Sequence, residues 1–329
     1  MSKPQVFVTR IIPDEGLEMV RSAADVDVWQ GELPPPYDVL VEKLASVEGL
    51  LCLLTDTIDR GLIHHAGESL KVISQMAVGY DNIDIPAATE RGIPIGNTPG
   101  VLTDATADFA WALLMAAARR VVEADKFTRD GHWKTWGPTL LLGPDIAGAT
   151  LGIVGLGRIG QAVVKRAQGF QMRILYHDIQ RRPGLEEKMG VEFASLDSLL
   201  QKSDFVSIHT VLSDDTHHLF GDKQFELMKP SGILINTARG PIVDPIALYS
   251  ALHNGKIAYA ALDVTESEPI HADDPLLGLE NIIITPHIAS ASKQARTMMA
   301  TMAAENLIAG LKGENLPNCV NPEVYSISA

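Results

Sequence analysis

The sequence contains few cysteines and no long apolar run. Only two of its 329 residues are cysteines, Cys52 and Cys319, and neither lies in a CxxC pair. Neither a disulfide framework nor a cysteine-based zinc cluster is therefore expected, and a reducing, cytoplasmic compartment is predicted. The longest apolar run, Phe109–Ala118, is too short to cross a bilayer, and the N-terminus does not resemble a signal peptide.

Positive charge is also scarce. Lysine and arginine together number 27 against 41 aspartates and glutamates, so the formal net charge is −14. Such a surface repels phosphate backbones and anionic lipids, and we expect neither nucleic acid nor a membrane as partner. The 46% of apolar residues is enough for a sizeable core, and the length suggests two domains.

The first hundred residues alternate short apolar runs with helix-like segments. This alternation predicts a parallel sheet covered by helices on both faces. The predicted strands are Gln5–Thr9, Gly49–Leu54, Val72–Met76 and Ile93–Ile95, and the predicted helices are Glu15–Ala23 and Tyr37–Leu44.

A long helix is predicted next, from Thr103 or Asp104 to about Arg129. It is apolar on nearly every face between Ala107 and Ala118, which favours burial between domains or subunits over a simple core position. A second β/α series starts at Thr150, and the tail, about 290–313, is predicted to be one helix. The strands predicted in this series are Leu151–Val154, Arg173–His177, Phe205–His209, Ile233–Asn236, Tyr259–Val264 and Ile282–Thr285.

A glycine-rich motif links the first strand of the second series to a helix. Its residues are Gly155, Leu156, Gly157, Arg158, Ile159 and Gly160. In a GxGxxG turn, the glycines permit the tight turn, the approach of a pyrophosphate and close helix packing, and the helix N-terminus attracts phosphate. The alternative to a dinucleotide site is an ordinary strand–helix turn that binds no ligand.

Asp178 ends the next strand, eighteen residues after Gly160. A carboxylate there accepts hydrogen bonds from ribose hydroxyls and repels a 2′-phosphate, so we expect NADH to be preferred over NADPH. Arg181 and Arg182 follow closely and leave open that a 2′-phosphate is bound instead.

Three polar residues follow strands of the second series: Arg239 in INTARG, Glu268 in LDVTESEP and His287 in ITPH. The carboxyl ends of parallel strands meet at the edge where ligands bind. Arg239 suits a substrate carboxylate, His287 suits proton donation, and Glu268 would favour the imidazolium. Taken singly, each could instead be an ordinary surface or ion-pair residue.

The remaining histidines carry no predicted role. His64 and His65, and likewise His217 and His218, form adjacent pairs without the spacing of metal ligands. We interpret them as surface residues and expect no metal.

The motifs together resemble the D-isomer-specific 2-hydroxyacid dehydrogenases over nearly the whole chain. Besides those above, the resemblance rests on AVGYDNID at 77–84, NTPGVLTDATAD at 97–108 and TPHIAS at 285–290. It implies two doubly wound α/β domains, Rossmann-like and flavodoxin-like. The substrate domain would comprise 1–100 plus 290–329, and the NAD(P)-binding domain, 101–289, would be inserted into it.

The resemblance also implies roles for individual residues. Arg239, Glu268 and His287 match the catalytic residues of the family, with Arg239 and His287 also binding substrate. Val78 and Gly79 match its substrate-binding backbone loop, and Asp263 and the backbone of Thr237 match its nicotinamide contacts. Thr106 matches a residue that faces the cofactor, although capping of the helix N-terminus explains it equally well.

A homodimer is a further implication, with residues 101–148 as the dimer arm. Trp133 or Trp136 would reach the partner's active site or simply pack in the interface. Two departures from the family pattern are His209-Thr210-Val211-Leu212, where HVPL is common, and Thr265, where an aromatic residue is common. The first could shift the loop over the cofactor and the second could loosen packing near Glu268.

Among members of the family, the sequence is most similar to glyoxylate/hydroxypyruvate reductases. We therefore expect hydride transfer from NAD(P)H to a small 2-oxo acid. Other D-2-hydroxyacid dehydrogenases of the D-lactate type, a phosphite dehydrogenase and a non-catalytic, dinucleotide-sensing corepressor remain alternatives. Phosphoglycerate is disfavoured because Leu70–Asp84 offers only Lys71 as a cation.

Overall fold

The computed structural model describes residues 2–327. The chain divides into two compact units, one made of Met1–Leu102 and Ala291–Ala329, the other of Thr103–Ser290. Each unit contains one sheet in which all strand pairs are parallel. The predicted α/β class with two doubly wound parallel sheets is confirmed.

The first unit has a five-stranded sheet in the order β2-β1-β3-β4-β5, which is the flavodoxin-like order. Its strand β3 is buried throughout, as its continuous apolar run indicates, and β4 is buried throughout although it ends with Ser74 and Gln75. The elements are β1 Gln5–Val8, α1 Asp14–Ala23, β2 Asp25–Val28, α2 Tyr37–Leu44, β3 Gly49–Cys52, α3 Arg60–His65, β4 Val72–Gln75, α4 Ile85–Glu90 and β5 Ile95–Gly96.

The tail of the chain completes this unit. The long tail helix Lys293–Leu311 begins at Ser292, whose side chain accepts a hydrogen bond from the N–H of Ala295. A Cβ added to Gly16 would lie 2.6 Å from the backbone of Ala300, so helix α1 and the tail helix pack backbone to backbone.

The second unit has a seven-stranded sheet in the order β12-β11-β10-β9-β6-β7-β8. The strand order reverses between β6 and β9, and this switch point is where ligands bind in doubly wound sheets. The elements are α5 Thr103–Ala118, α6 Val121–Arg129, β6 Thr150–Val154, α7 Arg158–Gln168, β7 Arg173–His177, α8 Pro183–Met189, β8 Glu192–Phe193, α9 Leu196–Lys202, β9 Phe205–Ile208, α10 Asp222–Leu227, β10 Ile233–Asn236, α11 Pro245–His253, β11 Tyr259–Leu262 and β12 Ile282–Ile284, followed in the tail by α12 Lys293–Leu311 and α13 Val324–Ile327.

One predicted element is wrong: the helix expected from 103 to about 129 is two helices, α5 and α6. Arg120 adopts a left-handed conformation with φ of 52° at the junction. A Cβ at Gly143 would collide with the carbonyl oxygen of Ala118, so the chain at Gly143 lies against the end of α5. Within its own unit, α5 contributes six buried residues to the hydrophobic core, and α6 has no buried residue.

Among residues 2–327, no helix combines the length and the apolarity needed to cross a membrane.

Candidate active site

The glycine-rich turn joins β6 to α7 at the switch point of the second sheet. Gly155 has φ of 94°, and a Cβ there would lie 2.7 Å from the backbone of His209 and Thr210. A Cβ at Gly160 would collide with the carbonyl oxygen of Gly155. These two glycines are required by the turn itself and by the close packing of α7 on β6.

Gly157 is different, because a Cβ built there would meet no atom within 4 Å. Its φ of −74° is also accessible to any residue. The fold does not require glycine here, whereas a pyrophosphate approaching the backbone does. Helix α7 has no side-chain cap at Gly157, so its N-terminal N–H groups suit phosphate, with Arg158 exposed beside them. The turn therefore fits a dinucleotide.

Asp178 follows β7 and contacts this turn. Its Oδ2 accepts a hydrogen bond of 3.0 Å from the N–H of Leu156, and Nη2 of Arg182 lies 3.6 Å from the same oxygen. The side chain of Asp178 is only 11% exposed, so it is not a solvated surface carboxylate. The carboxylate thus lies where a ribose bound at the glycine turn would meet it.

Arg181 is paired with Glu186 and not with Asp178. Its guanidinium forms two hydrogen bonds, of 2.9 and 2.8 Å, with the carboxylate of Glu186. The hydroxyl of Tyr176 donates to the same carboxylate at 2.8 Å. These partners lower the pKa of Glu186, because they stabilise its charged form.

His287 and Glu268 form a direct pair beyond the carboxyl ends of the neighbouring strands β12 and β11. Nδ1 of His287 lies 2.6 Å from Oε2 of Glu268, and both side chains are partly exposed. Oε1 of Glu268 accepts a hydrogen bond of 3.2 Å from the N–H of Thr265, which fixes the carboxylate. A hydrogen bond at Nδ1 leaves Nε2 as the ring nitrogen that can exchange a proton with a substrate.

A tight turn holds His287, whose backbone is left-handed with φ of 54°. Asp263 organises this turn: its buried carboxylate accepts hydrogen bonds from the hydroxyl of Thr285 at 2.7 Å, from the N–H of Ile288 at 2.9 Å and from the N–H of Ala289 at 2.6 Å. The backbone carbonyl of Asp263 also accepts from the N–H of His287 at 2.9 Å. Asp263 therefore positions the imidazole, a role that the sequence analysis did not assign to it.

Arg239 follows β10, the strand between β9 and β11. The side chain of Asn236 stabilises the turn by two hydrogen bonds. Its Oδ1 accepts from the N–H of Ala238 at 3.0 Å, and its Nδ2 donates to the carbonyl of Arg239 at 2.9 Å. A Cβ at Gly240 would collide with the carbonyl oxygen of Thr265. The Arg239 turn thus lies against the segment that leads to Glu268.

The other residues assigned to the cofactor also lie in the second unit. Thr106 is buried in the second turn of α5, which begins at Thr103, so the alternative that it caps the helix N-terminus is wrong. Ile159 lies in the first turn of α7 and is half-buried. The buried hydroxyl of Thr237 has no hydrogen-bond partner within the described part of the chain.

Val78 and Gly79 lie in the first unit, after β4. The carbonyl of Val78 accepts a hydrogen bond of 2.8 Å from the side chain of Asn97, and that of Gly79 accepts one of 2.6 Å from Gln75. In a trans peptide the N–H points opposite to the preceding C=O, so the N–H of Gly79 is turned away from Asn97. No role was predicted for Gln75, which precedes the motif at 77–84, or for Asn97, which begins the motif at 97–108.

His209, in the segment that departs from the family pattern, lies beside the glycine turn. Its Nε2 lies 2.8 Å from the hydroxyl of Ser207. Burial lowers the pKa of His209 from 6.5 to about 3, so the imidazole is neutral at physiological pH.

Comparison with known proteins identifies the family. Residues 111–289, more than half of the chain, match the model described as the NAD binding domain of D-isomer specific 2-hydroxyacid dehydrogenases. The chain belongs to the D-isomer-specific 2-hydroxyacid dehydrogenase family. The resemblance drawn from the sequence is confirmed.

Relatives of this dehydrogenase family match along the whole chain. A glyoxylate reductase of Korarchaeum cryptofilum is 54% identical over 99% of this chain and 98% of its own length. A solved Thermus thermophilus structure has a TM-score of 0.91 at 46% identity, covering 96% of this chain and 99% of its own. An NADPH-dependent glyoxylate/hydroxypyruvate reductase of Sinorhizobium meliloti, solved with NADP and malonate, has a TM-score of 0.85 at 31% identity, covering 98% of both chains.

Proposed function

We propose that this protein is an NAD(P)H-dependent reductase of glyoxylate and hydroxypyruvate, which it converts to glycolate and D-glycerate. The observation that carries the proposal is the 2.6 Å contact between His287 and Glu268. An acid–base group of this kind, at the sheet edge that also presents a dinucleotide turn, suits carbonyl reduction. The names of the relatives support the same substrate class.

In the proposed reaction, the guanidinium of Arg239 binds the carboxylate of the 2-oxo acid and polarises its carbonyl. The bound reduced nicotinamide supplies the hydride. His287 donates the proton from Nε2 to the carbonyl oxygen as the alcohol forms. Glu268 holds the ring by Nδ1 and balances the positive charge that the imidazolium carries before it gives up its proton.

The dinucleotide would be held by the glycine turn and Asp178 at one end. At the nicotinamide end we propose Thr106, Asp263 and Thr237. For Thr237 the proposed contact is its backbone; its buried hydroxyl also has no partner among the described residues and is a second polar group that a ligand could satisfy. Val78 and Gly79 are proposed to bind the substrate carboxylate through their backbone N–H groups, in keeping with the side-chain hydrogen bonds that hold their carbonyls.

We further propose a preference for NADH over NADPH. Asp178 would face a 2′-phosphate with like charge, and the guanidinium of Arg181 is already engaged by Glu186. Arg182 is the remaining cation at this position, and it lies within 3.6 Å of Asp178. A homodimer and a cytoplasmic location stay predictions.

The test is a matrix of initial rates with glyoxylate, hydroxypyruvate and pyruvate, each with NADH and with NADPH. We expect the highest kcat/KM for glyoxylate or hydroxypyruvate with NADH. Higher rates with pyruvate would favour the D-lactate type, and oxidation of phosphite by NAD⁺ without 2-oxo acid reduction would favour a phosphite dehydrogenase. Dinucleotide binding without any turnover would overturn the enzyme assignment in favour of a sensor.

A further inference from the structure

Two loops of the second unit bring a second group of titratable side chains together. His217 and His218 lie between β9 and α10, and Glu266 lies between β11 and β12. Nε2 of His218 is 3.3 Å from Oε2 of Glu266, and Nε2 of His217 is 4.0 Å from Oε1. One ligand atom from each of the three residues lies within 4.8 Å of the others, and within residues 2–327 no other trio of His, Cys, Asp or Glu does so.

The backbone holds both loops in place. His218 adopts a left-handed conformation with φ of 50°, and its N–H donates to the carbonyl of Pro241 at 2.8 Å. Its ring stacks on that of His217 with centroids 4.0 Å apart, which directs both Nε2 atoms to one carboxylate. Glu266 is held because Gly240 packs against the carbonyl of the preceding Thr265. His218 and Glu266 are therefore held close together, with the His217 ring stacked beside them.

Two imidazoles and one carboxylate are a donor set that Zn²⁺ and similar ions accept. Zinc binds such ligands at about 2.0–2.2 Å, so tetrahedral donors around it lie about 3.3–3.5 Å apart. The 3.3 Å between Nε2 of His218 and Oε2 of Glu266 already meets this spacing. Rotation of the half-exposed His217 ring would bring its Nε2, now 4.0 Å from Oε1 of Glu266, to the same separation. The net charge of −14 further favours a cation at the surface.

We propose that His217, His218 and Glu266 form a binding site for one divalent transition-metal ion of the zinc class, separate from the His287–Glu268 pair. Water would complete the coordination, since three protein ligands leave a tetrahedral position open. The ion would join the loops on either side of the turn that carries Arg239. This proposal replaces the expectation that the chain has no metal site, and it does not depend on the identity of the substrate.

The experiment uses the full-length chain without an affinity tag, freed of metal by a chelator that is then removed. Zn²⁺ binding is measured by calorimetry, and Co²⁺ serves as a spectroscopic probe whose visible d–d bands report the coordination number of the bound ion. We expect one ion per chain. His217→Ala, His218→Asn and Glu266→Gln should each weaken Zn²⁺ binding at least tenfold, because loss of even an outer-shell partner costs about 10–100-fold.

Asparagine is chosen at 218 because it tolerates the left-handed backbone. His64→Ala is the matched control, since His64 and His65 are the other adjacent histidine pair and are also exposed. His287→Asn separates this site from the catalytic pair. Both controls should bind Zn²⁺ with unchanged affinity, and metal-free His217→Ala should keep its thermal stability and turnover.

Three results would overturn the proposal. One is a wild-type protein that binds no Zn²⁺ in the calorimeter. Another is His217→Ala binding Zn²⁺ as tightly as the wild type, which would place the ion elsewhere. The third is loss of binding in His287→Asn alone, which would assign the ion to the catalytic pair.

Discussion

The left-handed backbone of His287 restricts the substitutions that can test its role. Alanine would add backbone strain at φ of 54°, whereas asparagine adopts this conformation more readily. We predict that His287→Asn lowers kcat for glyoxylate by about 10²–10⁴-fold, the usual contribution of a general acid. Steady-state rates at saturating NADH measure it.

Dinucleotide binding should survive this substitution, because His287 lies at the other end of the sheet edge from the glycine turn. Quenching of tryptophan fluorescence by NADH gives the affinity and serves as the control. Retained turnover in a correctly folded His287→Asn variant would remove the imidazole from the mechanism.

Asp178 is the residue on which the proposed coenzyme preference depends. In the proposed site, its replacement by alanine would remove a charge-assisted hydrogen bond to the ribose, worth about 1.5–3 kcal/mol. We predict that the ratio of kcat/KM for NADH to that for NADPH falls at least about tenfold in Asp178→Ala. The ratio is the correct measure, since the lost contact with Leu156 affects both coenzymes alike. Arg182→Ala should shift the ratio the other way, and an unchanged ratio in both variants would show that neither residue discriminates.

His209 should make the fold sensitive to acid. Its pKa is lowered by burial from 6.5 to about 3, so between these values the unfolded chain binds a proton that the folded chain excludes. Stability is therefore unaffected above pH 6.5 and falls as the pH drops below it. At pH 5 the difference is about 2 kcal/mol, from 1.36 kcal/mol per pKa unit.

His209→Gln isolates this effect, because glutamine can keep a hydrogen bond with Ser207 and does not titrate. Urea unfolding at pH 7 and pH 5 should show a smaller loss of stability in the variant than in the wild type. Equal losses would mean that His209 is solvated enough to be protonated in the folded state.

Among individual residues, the sequence predicted the roles of those whose chemistry is tied to a motif. Glu268 and His287 stand in recognisable motifs and meet in space. The positioning roles of Asp263 and Asn236 were missed, because they depend on which backbone N–H groups a turn presents. The group of His217, His218 and Glu266 was missed because Glu266 lies 48 residues from His218 along the chain and is adjacent only after folding.

The glycine-rich turn is the element whose individual glycines can be separated by experiment. A Cβ at Gly160 would collide with Gly155, and overpacking of this kind costs about 1–3 kcal/mol. A Cβ at Gly157 meets only open space, so Gly157→Ala should lose only the preference of a helix N-cap for glycine over alanine, at most about 1 kcal/mol. We predict that it instead weakens NADH binding at least about tenfold, or 1.4 kcal/mol.

Urea unfolding and NADH titration of the two variants measure both effects. The expected pattern is a stable Gly157→Ala that binds NADH poorly and a destabilised Gly160→Ala. A Gly157→Ala variant with wild-type affinity would show that the pyrophosphate does not approach this residue.

Among the other elements, those with strong apolar patterns were predicted and those without were not. Strand β2, with sequence DVDV, is half-exposed and carries aspartates that strands disfavour, and β8 has only two residues. The break between α5 and α6 was missed because the left-handed Arg120 is stabilised by contacts of its side chain and not by its residue type. Its side chain donates to Glu123 and to the carbonyl of Leu142, and no glycine or proline marks the position.

For the whole molecule, the alternation of strands and helices predicted the fold class but not the strand order. Every parallel strand must be reached by a crossover, and several orders satisfy the same alternation. The observed order places the reversal between β6 and β9, so the glycine turn that follows β6 lies beside the loop that begins at His209. The strand order therefore explains why the GxGxxG motif lies at the switch point of the sheet.

A dinucleotide that binds only the folded protein must stabilise it by mass action. At a free NADH concentration of 100 times Kd, the free energy of unfolding should rise by about 2.7 kcal/mol. The glycine turn lies wholly in the unit Thr103–Ser290, so the increase should appear in the unfolding of that unit. Urea titrations of the full chain followed by circular dichroism, with and without NADH, measure it, and Gly157→Ala at the same NADH concentration should show a smaller increase. If wild type and variant gained equal stability, NADH would be stabilising the protein through a different surface, and the assignment of the turn as the dinucleotide site would fail together with the mechanism built on it.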